Sequence, residues 1–237
     1  MLQWLRSLIF TVFVFTWIFS CGVAFAFMQP FMPFVKRWRL ANFCASGLVG
    51  AARLLCGLGY KVEGLENIPP GAHVALWKHS SSWETFAMMV IFPQQVWVLK
   101  RELLLVPFVG WTLAMMGAIA INRSAGSSAV TQVLEQGRKR LAMGSWVIIF
   151  PEGTRMPAGE TRKYGASGAL LASRTGCKVV PVAHDAGFFW PRRGLLKKPG
   201  TITVRIGKPI EAAGRDPRDI NREAQEWIEA QIAALAK

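Results

Sequence analysis

This sequence is short of acid, histidine and cysteine, and each shortage removes a class of chemistry. It has 14 acidic residues against 28 basic ones, a formal net charge of +14. A surface of that sign draws polyanions: nucleic acid, anionic lipid headgroups or phosphorylated substrates. Charge alone does not choose among them. The four cysteines (Cys21, Cys44, Cys56, Cys177) form no C-x-x-C pair, and only three histidines exist to assist them. No zinc site or disulfide framework is expected, and reduced thiols in a cytosol-facing protein fit better. No G-x-S-x-G element is present. Gly165-Ala166-Ser167-Gly168 comes nearest and fails the pattern, so a serine nucleophile on a strand-to-helix elbow is not expected. Cys177 carries no local nucleophile signature. Internal repeats and low-complexity linkers are also missing, and nothing beyond charge points to nucleic acid.

Charge is absent altogether from Ser7 to Val35, and Leu8 to Met28 is almost entirely apolar or aromatic. A helix of that length matches the roughly 30 Å hydrocarbon core of a bilayer. Lys36, Arg37 and Arg39 follow the run and only Arg6 precedes it. The positive-inside rule then puts the C-terminal side in the cytoplasm, at the cell's inner membrane. Trp4, Trp17 and Trp38 include two at the expected interfaces. The rival is a cleaved signal peptide ending at Ala24-Phe25-Ala26, but the run is too long for a typical signal core and Arg6 is its only leading cation. A second apolar stretch, Leu40 to Leu58, contains Arg53 and several small residues, and reads as either a membrane-embedded or an interfacial helix. Residues 1–59 are thus expected to anchor the chain, and residues 60–237 to form the catalytic domain. A composition 52% apolar and 18% charged agrees with membrane association.

From Tyr60 onward, β-branched runs alternate with helical patterns. Strands are expected at His73–Trp77, Val96–Leu99, Ala118–Ile121, Trp146–Phe150, Val179–Ala183 and Ile202–Ile206. Helices are expected at Trp83–Ile91, Ser127–Met143, Gly165–Arg174 and Arg218–Ala236, the last capped by Asp216-Pro217. That alternation predicts an α/β fold, a sheet flanked by helices, with the N-terminal membrane-anchoring helical segment ahead of it. Pro191 to Gly200 (PRRGLLKKPG) reads as a basic loop.

Lys78-His79-Ser80-Ser81-Ser82-Trp83-Glu84 follows an expected strand and opens an expected helix. Side chains five apart on one helix differ by about 140° and do not meet. His79 and Glu84 can pair only if His79 lies in the turn before the helix, a break the serines favour. Glu84 would then hold one imidazole nitrogen and leave the other to take a proton. The competing reading needs no chemistry: Ser81-x-x-Glu84 is a capping box. A His base without a protein nucleophile suggests that the base activates a substrate hydroxyl directly.

Phe150-Pro151-Glu152-Gly153-Thr154-Arg155 follows the most apolar strand and must turn sharply, aiming Arg155 outward as a phosphate ligand or as a solvated charge. Lys100-Arg101-Glu102 and Asn122-Arg123 end two further strands. Cations at several strand ends can converge on one anion, as ligands do at strand carboxyl ends.

Together these blocks resemble the lysophosphatidic acid acyltransferase family of glycerophospholipid acyltransferases. Its first block, N-H-x-x-x-x-D, is matched with Lys78 for Asn and Glu84 for Asp. Its second runs from Lys100-Arg101-Glu102-Leu103 through Gly110 to Arg123. F-P-E-G-T-R is unchanged at 150–155, and Val180-Pro181-Val182 gives the fourth. The ordered set covers roughly residues 70 to 190. The resemblance implies His79 as general base with Glu84 as its catalytic partner. It implies Lys100, Arg123 and Arg155 on the acceptor phosphate, with Glu152, Gly153 and Thr154 shaping that substrate site. It implies acyl-CoA or acyl-carrier protein as donor, a lysophospholipid acceptor, a lipid bilayer, no nucleic acid, and no metal or cofactor. The expected reaction is acyl transfer to the sn-2 hydroxyl of lysophosphatidic acid, making phosphatidic acid. Other lyso-lipid acceptors (lyso-ornithine lipid, glycerol 3-phosphate), hydrolysis, and a non-catalytic module binding anionic lipid remain as rivals.

Overall fold

The computed structural model describes residues 1–28, 31–122 and 125–236. Seven strands form one sheet: β1 (Leu58–Glu63), β2 (Val74–Trp77), β3 (Gln95–Lys100), β4 (Ile119–Ile121), β5 (Trp146–Ile149), β6 (Val179–His184) and β7 (Gly200–Ile206). Their order is β1-β7-β6-β2-β5-β3-β4, parallel throughout except for β6 against β7. The central strands Val-Ala-Leu-Trp (β2) and Trp-Val-Ile-Ile (β5) are buried at every position, as parallel strands covered on both faces must be. Pro181 interrupts the apolar β6 without loss. Its carbonyl accepts from Gly207 N beyond the end of β7, so the amide it lacks is not needed by the ladder.

Eight helices complete the described fold: α1 (Leu2–Met28), α2 (Phe34–Cys56), α3 (Glu84–Ile91), α4 (Val109–Met115), α5 (Ser127–Ala142), α6 (Ser167–Thr175), α7 (Ala186–Phe189) and α8 (Pro217–Leu235). The expected cap of the last helix is present: the Asp216 carboxylate accepts from Arg218 N, with Pro217 in the first turn. Side-chain alternation along the strands divides the interior in two. Ala75, Trp77, Trp146 and Ile148 join α1, α2 and α3 on one face. Val74, Leu76, Val147 and Ile149 join α5, α6 and α8 on the other.

Six of the seven strands lie where the sequence places them. The seventh, β1, escapes it because it is an edge strand carrying Gly59, Lys61 and Glu63 and pairing only with β7. The expected boundary at residue 59 therefore cuts a strand, and α2 ends before it, at Cys56. The short helices α4 and α7 also escape, since seven and four residues are too few to show a period.

Alpha helix α1 has the length and apolarity to cross a membrane. It also packs on the rest of the protein. At one end Gln3 donates to Lys197 O (2.7 Å) and Cys56 O (3.1 Å), and Arg6 donates to Leu55 O (2.7 Å). At the other, Gly22 packs against Phe108, and Phe19 meets the Phe108 ring edge-on at 5.4 Å. Between them Phe10 (0% exposed) and Phe25 (2%) join the core, and Trp17 donates to Cys44 O on α2 (2.9 Å). Trp17 lies so close over Gly47 that a Cβ there would stand 2.7 Å from the ring. Both ends of the helix thus rest on the body of the protein, and the helix packs along that body between them. Its other face exposes Leu5, Leu8, Val12, Phe15 and Phe19, a stripe at helical spacing. Removal of residues up to Ala26, as a signal-peptide reading demands, would open the core at Phe10 and Phe25.

The basic loop is also revised. Lys197 is buried, not solvated. Its amide donates to Ser7 Oγ (3.0 Å), its ammonium donates to Thr11 Oγ1 and Leu195 O (both 2.8 Å), and the charge faces Trp190 at 5.5 Å. Only Arg192, Arg193 and Lys198 of that loop are exposed cations. Lys197→Ala should therefore loosen α1 and cost roughly 1–3 kcal/mol, the scale of a buried charged hydrogen-bonding group. Thermal unfolding in detergent would register this as a lower midpoint, whereas Lys198→Ala should leave the midpoint unchanged.

Candidate active site

Because β6, β2, β5, β3 and β4 are mutually parallel, their carboxyl ends lie along one edge of the sheet. That edge carries His184, Lys78-His79, the Phe150–Arg155 turn, Lys100 and Asn122 in spatial order, although the segments are far apart in the chain. Arg123 lies outside the described residues. Alternation continues past the end of β2: Trp77 faces α3, Lys78 turns to the α8 side, and His79 returns to the side of α1, α2 and α3.

His79 stands in the turn before α3, as the spacing argument requires. Its Nδ1 is 2.9 Å from Glu84 Oε1. The same oxygen accepts from Ser80 N (3.1 Å) and Ser81 N (2.9 Å). Only the return half of the expected capping box forms: Trp83 is the N-cap, without a side-chain cap, and Ser81 Oγ accepts from Trp83 N (3.1 Å), while the one Glu84 oxygen holds both the turn before α3 and the imidazole. Glu84 is fully buried while the His79 side chain is 14% exposed. The His79 ring stacks on Phe150 at 4.1 Å and 20° between planes, which fixes its orientation. A carboxylate at Nδ1 places the proton there and leaves Nε2 as the lone-pair nitrogen.

Phe150, Thr85 and Trp17 join His79 around an apolar cavity of about 400 Å³ that runs between α1, α2, α3 and α4, deeper walls coming from Phe25, Leu48 and Met116. Its volume is that of a ligand site, commonly about 300–1,000 Å³.

The Phe150–Arg155 turn locks onto the His79 segment. Met156 N donates to His79 O (2.7 Å), and Arg155 Nη1 donates to Ser82 Oγ (2.6 Å). Gly153 adopts φ +68°, a left-handed conformation glycine takes without a steric penalty, and its amide donates to Phe150 O (2.9 Å). Thr154 and Arg155 are half-buried beside it. Glu152 points away from the open site. Its side chain is fully buried, its Oε1 accepts weakly from His79 N (3.4 Å), and Lys78 Nζ lies 3.3 Å away. Burial pushes its carboxyl up, opposed by the Lys78 charge. Its side chain thus faces Lys78, behind the His79 turn. Lys100 is exposed and 3.6 Å from Glu102, and no described contact joins it to His79 or Arg155.

An acyltransferase family model, described simply as Acyltransferase, matches residues 59–185. A 1-acyl-sn-glycerol-3-phosphate acyltransferase of Pseudomonas aeruginosa is 41% identical over 99% of this chain and 93% of its own length. The chain belongs to the acyltransferase family. A yeast protein of the same name (Saccharomyces cerevisiae) is 30% identical over 77% of the chain and 62% of its own length. The fold is shared with the crystal structure of a Thermotoga maritima 1-acyl-sn-glycerophosphate acyltransferase, at TM-score 0.76 and 20% identity, over 98% of this chain and 95% of that one.

Three supporting residues of the acyltransferase were not legible in its sequence. His184 is fully buried under Trp77 and Trp83; its Nε2 donates to Lys78 O (2.9 Å) and its Nδ1 accepts from Ala186 N (3.3 Å). Burial holds it below the usual histidine range, so it stays neutral as a brace. Ser81 Oγ donates to Trp190 O (2.6 Å), and the Trp190 ring meets Phe10 of α1 at 5.1 Å, linking the anchor to the catalytic turn. Lys78 is the third. His184 stands beside Asp185 in the sequence, Ser81 showed there only as a possible helix cap, and Lys78 only as a departure from the family's asparagine.

Proposed function

We propose that this acyltransferase moves a fatty acyl group from a thioester donor, acyl-CoA or acyl-carrier protein, to the sn-2 hydroxyl of lysophosphatidic acid. The observation that carries the reading is a single juxtaposition. A histidine whose Nδ1 is bound to a buried carboxylate stands at the wall of an apolar cavity, and Arg155 bonds Ser82, three residues after that histidine. The cavity suits an acyl chain, and the guanidinium suits a phosphate. His79 Nε2 takes the proton of the acceptor hydroxyl as that oxygen attacks the thioester carbonyl. The imidazolium, held by Glu84, returns the proton to the departing thiol, so no side chain is acylated. Gly153, Thr154 and Lys100, with Arg123, form the remaining proposed border of the acceptor site, and the chemistry calls on no metal or organic cofactor.

The membrane role follows from the exposed stripe of α1. A helix bound along the protein at both ends, with Leu8, Val12, Phe15 and Phe19 outward, is suited to lie in one leaflet, and residues 1–56 then act as an in-plane anchor on the cytoplasmic side of the inner membrane. This geometry would set the cavity beside the acyl chains of its substrates.

Labelled acyl donor with lysophosphatidic acid, lyso-ornithine lipid, glycerol 3-phosphate and monoacylglycerol tests the reading. Transfer should be fastest to lysophosphatidic acid. Arg155→Ala should raise ΔΔG‡ on it by roughly 1.5–3 kcal/mol, the value of a charged hydrogen bond, and change transfer to monoacylglycerol less. Equal rates on the phosphorylated and unphosphorylated acceptors in the wild type would overturn the acceptor assignment. An equal Arg155→Ala defect on both would reduce Arg155 to a support for Ser82.

A further inference from the structure

Lysine at position 78, where the resembling family has asparagine, places a cation in the interior, and the structure shows what receives it. Lys78 is 1% exposed. Its ammonium lies 2.8 and 3.1 Å from the two oxygens of Glu229 on α8, 2.9 Å from Glu160 O, and 3.3 Å from Glu152. Glu229 in turn accepts from Tyr164 OH at 2.6 Å. Asn221 and Gln225, two turns and one turn earlier on the same stripe of α8, bind Tyr164 O, Tyr164 N and Arg162 O. The stripe therefore straps down the segment that follows the Phe150–Arg155 turn, and its last residue reaches through to Lys78.

We propose that Lys78 and Glu229 are positioning residues for acyl transfer, an ion pair between a buried lysine and a half-buried glutamate through which α8 holds the catalytic histidine and the arginine turn in register from behind. The physical case is one of leverage and charge. Lys78 precedes His79 directly, and its backbone is held on both sides, its amide by Val182 O (3.0 Å) and its carbonyl by His184 Nε2 (2.9 Å). Its side chain adds to the Met156–His79 and Arg155–Ser82 bonds a contact from behind with Glu152, the residue whose carboxylate also meets His79 N. Glu152 belongs to the arginine turn itself. One ammonium therefore touches both catalytic blocks and the C-terminal helix. Glu229 is the additional anion the lysine requires: a buried cation is tolerated only when paired and hydrogen-bonded, and removal of one partner strands the other.

The kinetic arm of the test rests on the acyl-transfer reading, and the stability arm does not. Full-length wild type, Lys78→Asn, Glu229→Gln and the double variant are compared in detergent, by thermal unfolding and by kcat and KM per folded molecule. Each single variant should lose about tenfold or more in kcat with the donor KM little changed, since the acyl cavity lies on the other face of the sheet; the double variant should recover part of the loss relative to Lys78→Asn, because Glu229 is no longer a stranded charge while Glu152 still is. The unfolding midpoints should show the same coupling. Should Lys78→Asn fail to fold, a double variant that folds and turns over supports the pair; if the double also fails, Glu229→Gln decides alone, and a normal kcat per folded molecule in it overturns the proposal. Single variants with normal kcat per folded molecule would also overturn it, leaving the cluster a mere stabiliser. A wild type inactive on lysophosphatidic acid but active on another acceptor would instead overturn the acceptor assignment, and the same four proteins would then be read on that acceptor.

Discussion

His79→Ala should abolish measurable acyl transfer, a loss of about 10²–10⁴-fold for the general base alone, while the protein keeps its unfolding midpoint within a few degrees. The fold should survive because Glu84 still accepts from Ser80 N and Ser81 N, and Met156 N still binds the backbone at residue 79. The other histidines offer no substitute. His184 is fully buried with Nε2 committed to Lys78 O, and His73 sits at the opposite, amino end of β2, where it packs on Trp146. Steady-state turnover with labelled donor, normalised to folded protein, reads the result. Residual activity within about tenfold of wild type is too high for a lost general base and would remove His79 from the mechanism.

Glu84→Gln should come next in size and separates two roles that the structure places on one oxygen. The amide oxygen of Gln can keep the bonds from Ser80 N and Ser81 N, so α3 should still start correctly. It cannot supply the negative charge that stabilises the imidazolium, and for a carboxylate in this position the loss in kcat is on the order of 10²–10⁴. Glu84→Ala should lose that much turnover and, in addition, roughly 1–3 kcal/mol of stability for each buried amide left without an acceptor. Turnover and thermal unfolding of the two variants, measured side by side, give the comparison. A Gln variant with near-normal turnover would leave Glu84 as a helix cap only.

Much of the fold was legible because its signals are local. The central strands are short apolar runs, since both faces of a parallel sheet are covered, and α5 and α8 are long enough to show a helical period. The histidine pair was legible through a geometric constraint: a five-residue spacing fails within a helix and works across a helix start. What escaped is non-local. Edge strand β1 is defined by its partner β7, about 140 residues later in the chain (Leu58 opposite Gly200). Glu152 sits within the most recognisable motif, yet its side chain points inward, because its partner Lys78 comes from another strand end.

The sequence by itself determined the fold class, the family, the pairing of His79 with Glu84 and the presence of an apolar N-terminal helix, because each depends on residues within one or two turns of one another or on composition along a single run. Only the tertiary structure decided how that anchor lies, where the cavity is, and which charges serve the site. Hydropathy cannot distinguish a helix that leaves the protein from one lying along it; the contacts of Gln3, Ser7 and Phe10 with the body can, as can those of Gly22. Likewise a lysine in a sequence is a solvated charge until its neighbours are known. Lys197 and Lys78 are buried because Thr11 and Glu229, contributed by opposite ends of the chain, satisfy their ammonium groups, and no periodicity or motif records that pairing.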